Sequence, residues 1–168
     1  MSRILVARYL VLVLSVLVVA CLASPKTPSA KRAEFLEKFS FLTLSDPVRR
    51  MEIFERFSLD DQAELFMLTP LVNHPGDPYL ARAVARRGSA IIPALLRQLE
   101  GESDESLQYH LLGVFREMQM CGIYAVRDDR ALMSRLNETV DSMRDAERKQ
   151  IGSELIAIIR ETPPHSCP

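Results

Sequence analysis

The stretch from Asp104 to Met120 carries Leu107, Leu111, Val114, Phe115 and Met118 at the i, i+4, i+7, i+8, i+11 spacing of one helical face. The pattern recurs from Asp129 to Met143 with Leu132, Met133, Leu136, Val140 and Met143. It recurs again from about Asp145 to Arg160 with Ile151, Leu155, Ile158 and Ile159. Each stripe faces a charged side, so each helix is expected to lie on a surface with one stripe buried. From Lys31 onwards no run alternates apolar and polar residues, and no Asn-Gly or Asp-Gly pair marks a hairpin. The chain therefore reads as all-α. Seven or eight helices of roughly 10 to 17 residues are expected to pack as antiparallel pairs, in a repeat stack or an irregular bundle.

The boundaries are punctuated. Asp46-Pro47 sets a capping acceptor before a proline, whose missing N–H costs nothing in the first turn. Val48, Met51, Phe54 and Phe57 then recur as one face. Ser58 caps a second segment, with Asp61 and Gln62 in its first turn and Leu59, Ala63, Phe66 and Met67 as its stripe. Asn73-His74-Pro75-Gly76 breaks the chain. Asp77-Pro78 repeats the cap-then-proline device, and Gly88 can end the short helix that follows.

Between Leu80 and Met118 the chain carries Ala81, Ala85 and Gly88, then Ile91-Ile92-Pro93-Ala94-Leu95-Leu96 with Leu99, then the Asp104 helix. This stretch resembles a HEAT-type helical repeat. In such repeats a small-residue helix ends at a glycine, and the next opens on an aliphatic-proline turn and packs back antiparallel. The resemblance covers about a quarter of the chain and implies stacked helix pairs with a binding or scaffolding role. No self-similar period extends it to the rest of the sequence.

The N-terminus has a different character. Arg3 and Arg8 precede an apolar run from Tyr9 to Ala20, and Val18-Val19-Ala20-Cys21 closes it. These are the parts of a secretory signal. The last four residues resemble a bacterial lipobox, which implies cleavage before Cys21 and lipidation of its sulfur. Two other readings stand beside it. A plain secretory signal could be cut after Ala23, and an uncleaved anchor could span Ile4 to Ala23. Arg8 counts against the anchor, because it leaves only the fifteen residues from Tyr9 to Ala23 uninterrupted. On the lipobox reading the chain divides into a signal (1–20), a lipidated Cys21 with a tether (21–30), an all-α domain (31–161) and a tail (162–168). The tether, Ser24 to Ala30, holds two prolines among small polar residues and resists helix and sheet alike.

Removing 20 of the 168 residues leaves 148, the size of one domain with a workable core. Losing Arg3 and Arg8 takes the formal net charge from −1 to −3. That balance argues against a nucleic-acid partner, which selects a strongly basic face. With Cys21 claimed by lipid, Cys121 and Cys167 remain as an even pair in a compartment that permits disulfides. A Cys121–Cys167 bridge would tie the tail to the helical body and stabilise the fold by about 3–4 kcal/mol. The alternative is two free thiols, and metal binding is not expected, since no Cys or His sits at ligand spacing from either cysteine.

Catalytic motifs do not emerge. The sequence has no Gly-x-Ser-x-Gly elbow, His-Glu-x-x-His pair, phosphate loop or Gly-x-Gly-x-x-Gly. Its three histidines read as a turn residue (His74), a partner-facing or solvent position (His110) and a tail residue (His165). The acidic run Glu100 to Ser106 lacks the ladder of a calcium loop and reads as helix capping. Arg82, Arg86, Arg87 and Arg97, and then Arg144, Arg148 and Lys149, read as solvated charged faces that could also meet anionic headgroups or wall polymers. Cys121 to Val126 is the least polar loop and is expected to pack under the core, the alternative being an apolar contact presented to a partner. Asn137-Glu138-Thr139 is a chance match to a glycosylation sequon.

The expectation is thus an exported bacterial lipoprotein with a non-catalytic helical binding or scaffold domain. It would be held to the membrane by lipid, without a metal or other cofactor, and would meet a protein partner in the envelope. Leu22 after the cysteine points to the outer membrane under enteric-type sorting; a soluble periplasmic or secreted form is the alternative. The competing functions are a hydrolase-like enzyme with an unfamiliar site and a chaperone-like accessory factor.

Overall fold

The computed structural model describes residues 37–38, 40–41, 44–72, 78–163, 165 and 167. The signal, Cys21, the tether and His74 lie outside the described residues. The chain divides into two units, Met1–Phe39 and Ser40–Pro168, and the helical fold is the second. Seven α-helices run from Pro47 to Glu161, and no strand occurs among the described residues. They are α1 (Pro47–Phe54), α2 (Leu59–Val72), α3 (Pro78–Ala85), α4 (Ile92–Gly101), α5 (Glu105–Met120), α6 (Arg130–Ser142) and α7 (Ala146–Glu161). Short 3₁₀ turns at Gly88–Ala90 and Val126–Asp128 precede α4 and α6. The all-α expectation holds. The lengths run shorter than expected, since α1 and α3 have only 8 residues each.

Local chemistry explains most boundaries. Asp46, Asp104, Asp129 and Asp145 are N-caps whose carboxylates accept from Val48 N (3.0 Å), Ser106 N (2.8 Å), Leu132 N (3.0 Å) and Arg148 N (3.0 Å). Ser58 Oγ accepts from Asp61 N at 3.2 Å and donates to the Asp61 carboxylate at 2.6 Å. Two glycines close helices in the left-handed region, Gly88 at φ 60° and Gly122 at φ 63°. After α5 the Ile123 N–H reaches Met118 O (3.0 Å) and the Gly122 N–H reaches Gln119 O (3.2 Å). That pair is the Schellman closure, and its glycine sits at a φ that L side chains rarely adopt.

Packing follows alternate helices. α2 packs on α4, α3 on α5 and α5 on α7, with α5 the helix that touches most of the others. The ends fix the directions. Glu105, at the start of α5, accepts from Arg144 N (2.7 Å) and Asp145 N (3.0 Å) at the start of α7. At the far end Gln119 Nε2 donates to Thr162 O (3.2 Å) and His165 N donates to Met120 O (2.8 Å). So α5 and α7 run parallel, and α6, which connects them in the chain, returns in the opposite direction and packs on α7. α3 joins the same layer, its Arg82 meeting Glu117 near the end of α5. The core fills the space between layers, with Leu65, Leu95, Leu111, Phe115, Met118 and Leu136 fully buried.

Two stripes differ from expectation. Val48 is 68% exposed, although its spacing put it with Met51, Phe54 and Phe57. Phe41 stacks on Phe54 (centroids 5.5 Å) and meets Phe57 edge-on (6.0 Å), and so selects the buried face. Val48 lies about 120° around the helix from Phe54 at 100° per residue. On α7 the buried stripe is Gly152, Ile156 and Ile159, while Ile151, Leu155 and Ile158 are half-buried beside it. A glycine at the closest approach escapes a count of apolar side chains. A Cβ at Gly152 would stand 3.0 Å and 3.3 Å from the Val140 methyls.

Candidate functional site: the junction where α5 meets the tail

A disulfide joins Cys121 to Cys167 across 46 residues, with the Cα atoms 4.9 Å apart. Cys121 is the C-cap of α5, so the bridge pins the tail to the end of the central helix. Three further contacts converge there. Gln119 is fully buried yet satisfied: its Nε2 donates to Thr162 O, and its Oε1 accepts from Arg127 N at 3.1 Å. His165 N–H holds Met120 O. Glu117, one turn before Cys121, accepts from Arg82 Nε at 3.0 Å through Oε1. That same oxygen lies 3.4 Å from Cys121 Sγ. A disulfide sulfur carries no hydrogen, so the approach is a contact between a carboxylate oxygen and sulfur.

The loop beyond Cys121 packs inward as expected. Val126 is fully buried, and Ile123 and Tyr124 rest against the core. Tyr124 O–H donates to Asp129 Oδ2 at 2.7 Å, while Asp129 Oδ1 caps α6. The Leu132 N–H, and after it the Tyr124 hydroxyl, hold the Asp129 carboxyl below its ordinary value. The same hydrogen bond pushes the Tyr124 phenol up, since losing its proton would set an anion beside the carboxylate.

The other sequence candidates are spread over the surface. Tyr109 and His110 sit ring to ring, with centroids 4.7 Å apart. Most carboxylates of the Glu100 to Ser106 run are engaged in caps and pairs. Glu102 accepts from Ser103 N and Asp104 N (2.7 Å each), Asp104 caps α5, Glu105 bridges to α7, and Glu100 pairs with Arg135. The basic residues are engaged too. Arg97 pairs with Asp60, Arg87 donates to Gln62 (3.0 Å), and Arg148 reaches Asp104 (3.3 Å) and Ser106. A shallow cleft of about 270 Å³ opens between α4 and α6, where Glu100, Arg135, Glu138 and Ser142 line it with Gln108 of α5. Asn137 and Thr139 of the sequon lie on α6, where Thr139 Oγ1 donates to Arg135 O at 3.0 Å. Arg116 Nε on α5 is buried without a hydrogen-bond partner.

Sequence reasoning found Cys121 and Cys167 and missed Glu117, Gln119 and Arg82 as their neighbours. The i, i+4 spacing of Glu117 and Cys121 was there to be read, since it puts both on one helical face. Gln119 and Arg82 carry no such local mark. No family model matches the chain, and neither a curated protein nor a solved structure matches it.

Proposed function

We propose that this chain is an exported bacterial lipoprotein, anchored through Cys21, whose all-α domain binds a protein partner in the envelope without catalysis. The observation that carries the binding reading is the packing of α2 on α4, α3 on α5 and α5 on α7. Helices stacked in this way present extended surfaces. The placement of the titratable groups supports it as well. Asp129 and Tyr124 serve a helix cap, and Glu117 and Glu100 are engaged in ion pairs with Arg82 and Arg135. The export reading rests on Val18-Val19-Ala20-Cys21 and gains support from the disulfide, because such bonds persist in oxidising compartments.

The test expresses the full chain and a Cys21→Ser variant in a bacterial host supplied with labelled palmitate. The wild-type chain should carry label and sediment with membranes, and the variant should accumulate as an unlabelled precursor. Equal labelling of both would overturn the anchor. Crosslinking in intact cells should then give one discrete adduct at near-stoichiometric yield. A chain that crosslinks to nothing would remove the binding reading.

A further inference from the structure

We propose that reduction of the Cys121–Cys167 disulfide turns the junction into a zinc site, with both sulfurs and the Glu117 carboxylate as ligands. Glu117 Oε1 and the two sulfurs lie within 4.8 Å of one another, the group of possible ligand atoms that the described residues bring together. The distances fit the chemistry. Zn–S bonds of about 2.3 Å and a Zn–O bond of about 2.1 Å at tetrahedral angles place sulfur about 3.6 Å from oxygen. Cys121 Sγ and Glu117 Oε1 are already 3.4 Å apart on one face of α5. The i, i+4 spacing brings Glu117 and the C-cap Cys121 together, so two of the three ligand atoms already stand at a ligand–ligand separation. The third must move, because two thiolates on one zinc stand about 3.8 Å apart. Cys167 can make that movement, since it sits on the tail beyond α7 rather than within a helix. A water completes the fourth position.

The chemistry balances. The disulfide takes two electrons and two protons from a dithiol, which leaves as its own disulfide, and two thiols form. The cation then displaces two protons as it binds two thiolates. Borderline-soft zinc suits two sulfurs and one oxygen, whereas magnesium and calcium require oxygen sets. Arg82 is the built-in competitor. Its Nε donates to Glu117 Oε1, the oxygen that also lies against Cys121 Sγ, and so draws on the same carboxylate charge as the metal. Both cysteines are half-buried and therefore open to a reductant.

The experiment uses the full chain in detergent, reduced with a phosphine and titrated with Co²⁺, then with Zn²⁺. The reduced chain should bind one equivalent of cobalt with a near-ultraviolet thiolate-to-metal band, which zinc abolishes. The oxidised chain should show no band. Glu117→Gln should weaken cobalt binding about ten-fold or more. Arg82→Gln breaks the same ion pair but keeps the carboxylate, so it should bind as tightly as the wild type or tighter. Circular dichroism should show the reduced chain still helical. A missing band in the reduced chain, loss of helix on reduction, or equal affinity in Glu117→Gln would overturn the site. Weakening in Arg82→Gln equal to that in Glu117→Gln would overturn it as well, because the ion pair and not the ligand would then be responsible.

Discussion

Gly113 and Gly152 sit on the two most closely packed helices and respond in opposite ways to a methyl group. A Cβ at Gly113 meets nothing within 4 Å, while one at Gly152 meets Val140 at 3.0 Å and the Met143 sulfur at 3.5 Å. Gly113→Ala should therefore stabilise the fold by about 0.5–1 kcal/mol, because alanine has less backbone freedom to lose. Gly152→Ala should cost about 1–3 kcal/mol through overpacking, and Val140→Ala in the same chain should recover part of that loss. Urea midpoints of the three variants decide the matter, and stabilisation by Gly152→Ala would contradict the close approach. Asp129 offers a second test at this scale. Its carboxyl is held below the ordinary value by the Leu132 N–H and the Tyr124 hydroxyl. A depressed value contributes stability above the unfolded value of about 3.9, and that contribution is lost as pH falls through the folded one. Asp129→Ala should thus cost about 1 kcal/mol at pH 7, the worth of a cap. Its gap to the wild type should narrow under acid, measured by urea unfolding at a series of pH values.

At the scale of elements, what could be read from the sequence was what is local. Asp46-Pro47, Ser58, Asp104, Asp129 and Asp145 announce helix starts, because a cap is settled within three residues of itself. The apolar stripe of α5 likewise gave its buried face, Leu107, Leu111, Val114, Phe115 and Met118. The pairing of elements was not legible, because it rests on contacts some forty residues apart. Glu105 on Arg144 and Asp145, and Gln119 on Thr162, look from sequence like ordinary polar positions on a helix surface. The disulfide was legible through parity alone, and its neighbours Glu117 and Arg82 were not. Gln119 shows the weight such a residue carries. Gln119→Leu would leave the partly buried Thr162 O and Arg127 N without the partner that the fully buried Gln119 supplies. The expected cost is about 1–3 kcal/mol, with earlier hydrogen exchange at Arg127 and in the tail. A cost near zero would mean that water replaces the amide.

For the whole molecule, alternate-helix packing sets a problem at its C-terminal end. α5 packs against both α3 and α7, whereas α7, the last helix, packs against α5, α6 and the second 3₁₀ turn. End helices of a stack lose contacts on one side, and they open first unless something else holds them. Here the ends of α7 are fastened instead: Glu105 holds its start, while Gln119, the Met120 carbonyl and the disulfide hold its exit. The bridge closes a loop of 46 residues, for which chain entropy gives about 4 kcal/mol. That loop contains the 3₁₀ turn, α6 and α7, so its loss should not be felt evenly. Replacing both Cys121 and Cys167 with serine should lower the unfolding free energy by about that amount, less any residual order in the unfolded chain. Amide exchange should become faster in α6 and α7 first, while α2, α4 and the buried half of α5 stay protected. If protection instead fell uniformly along the chain, α7 would belong to the same cooperative unit as α2, and the fold would behave as a bundle rather than a stack.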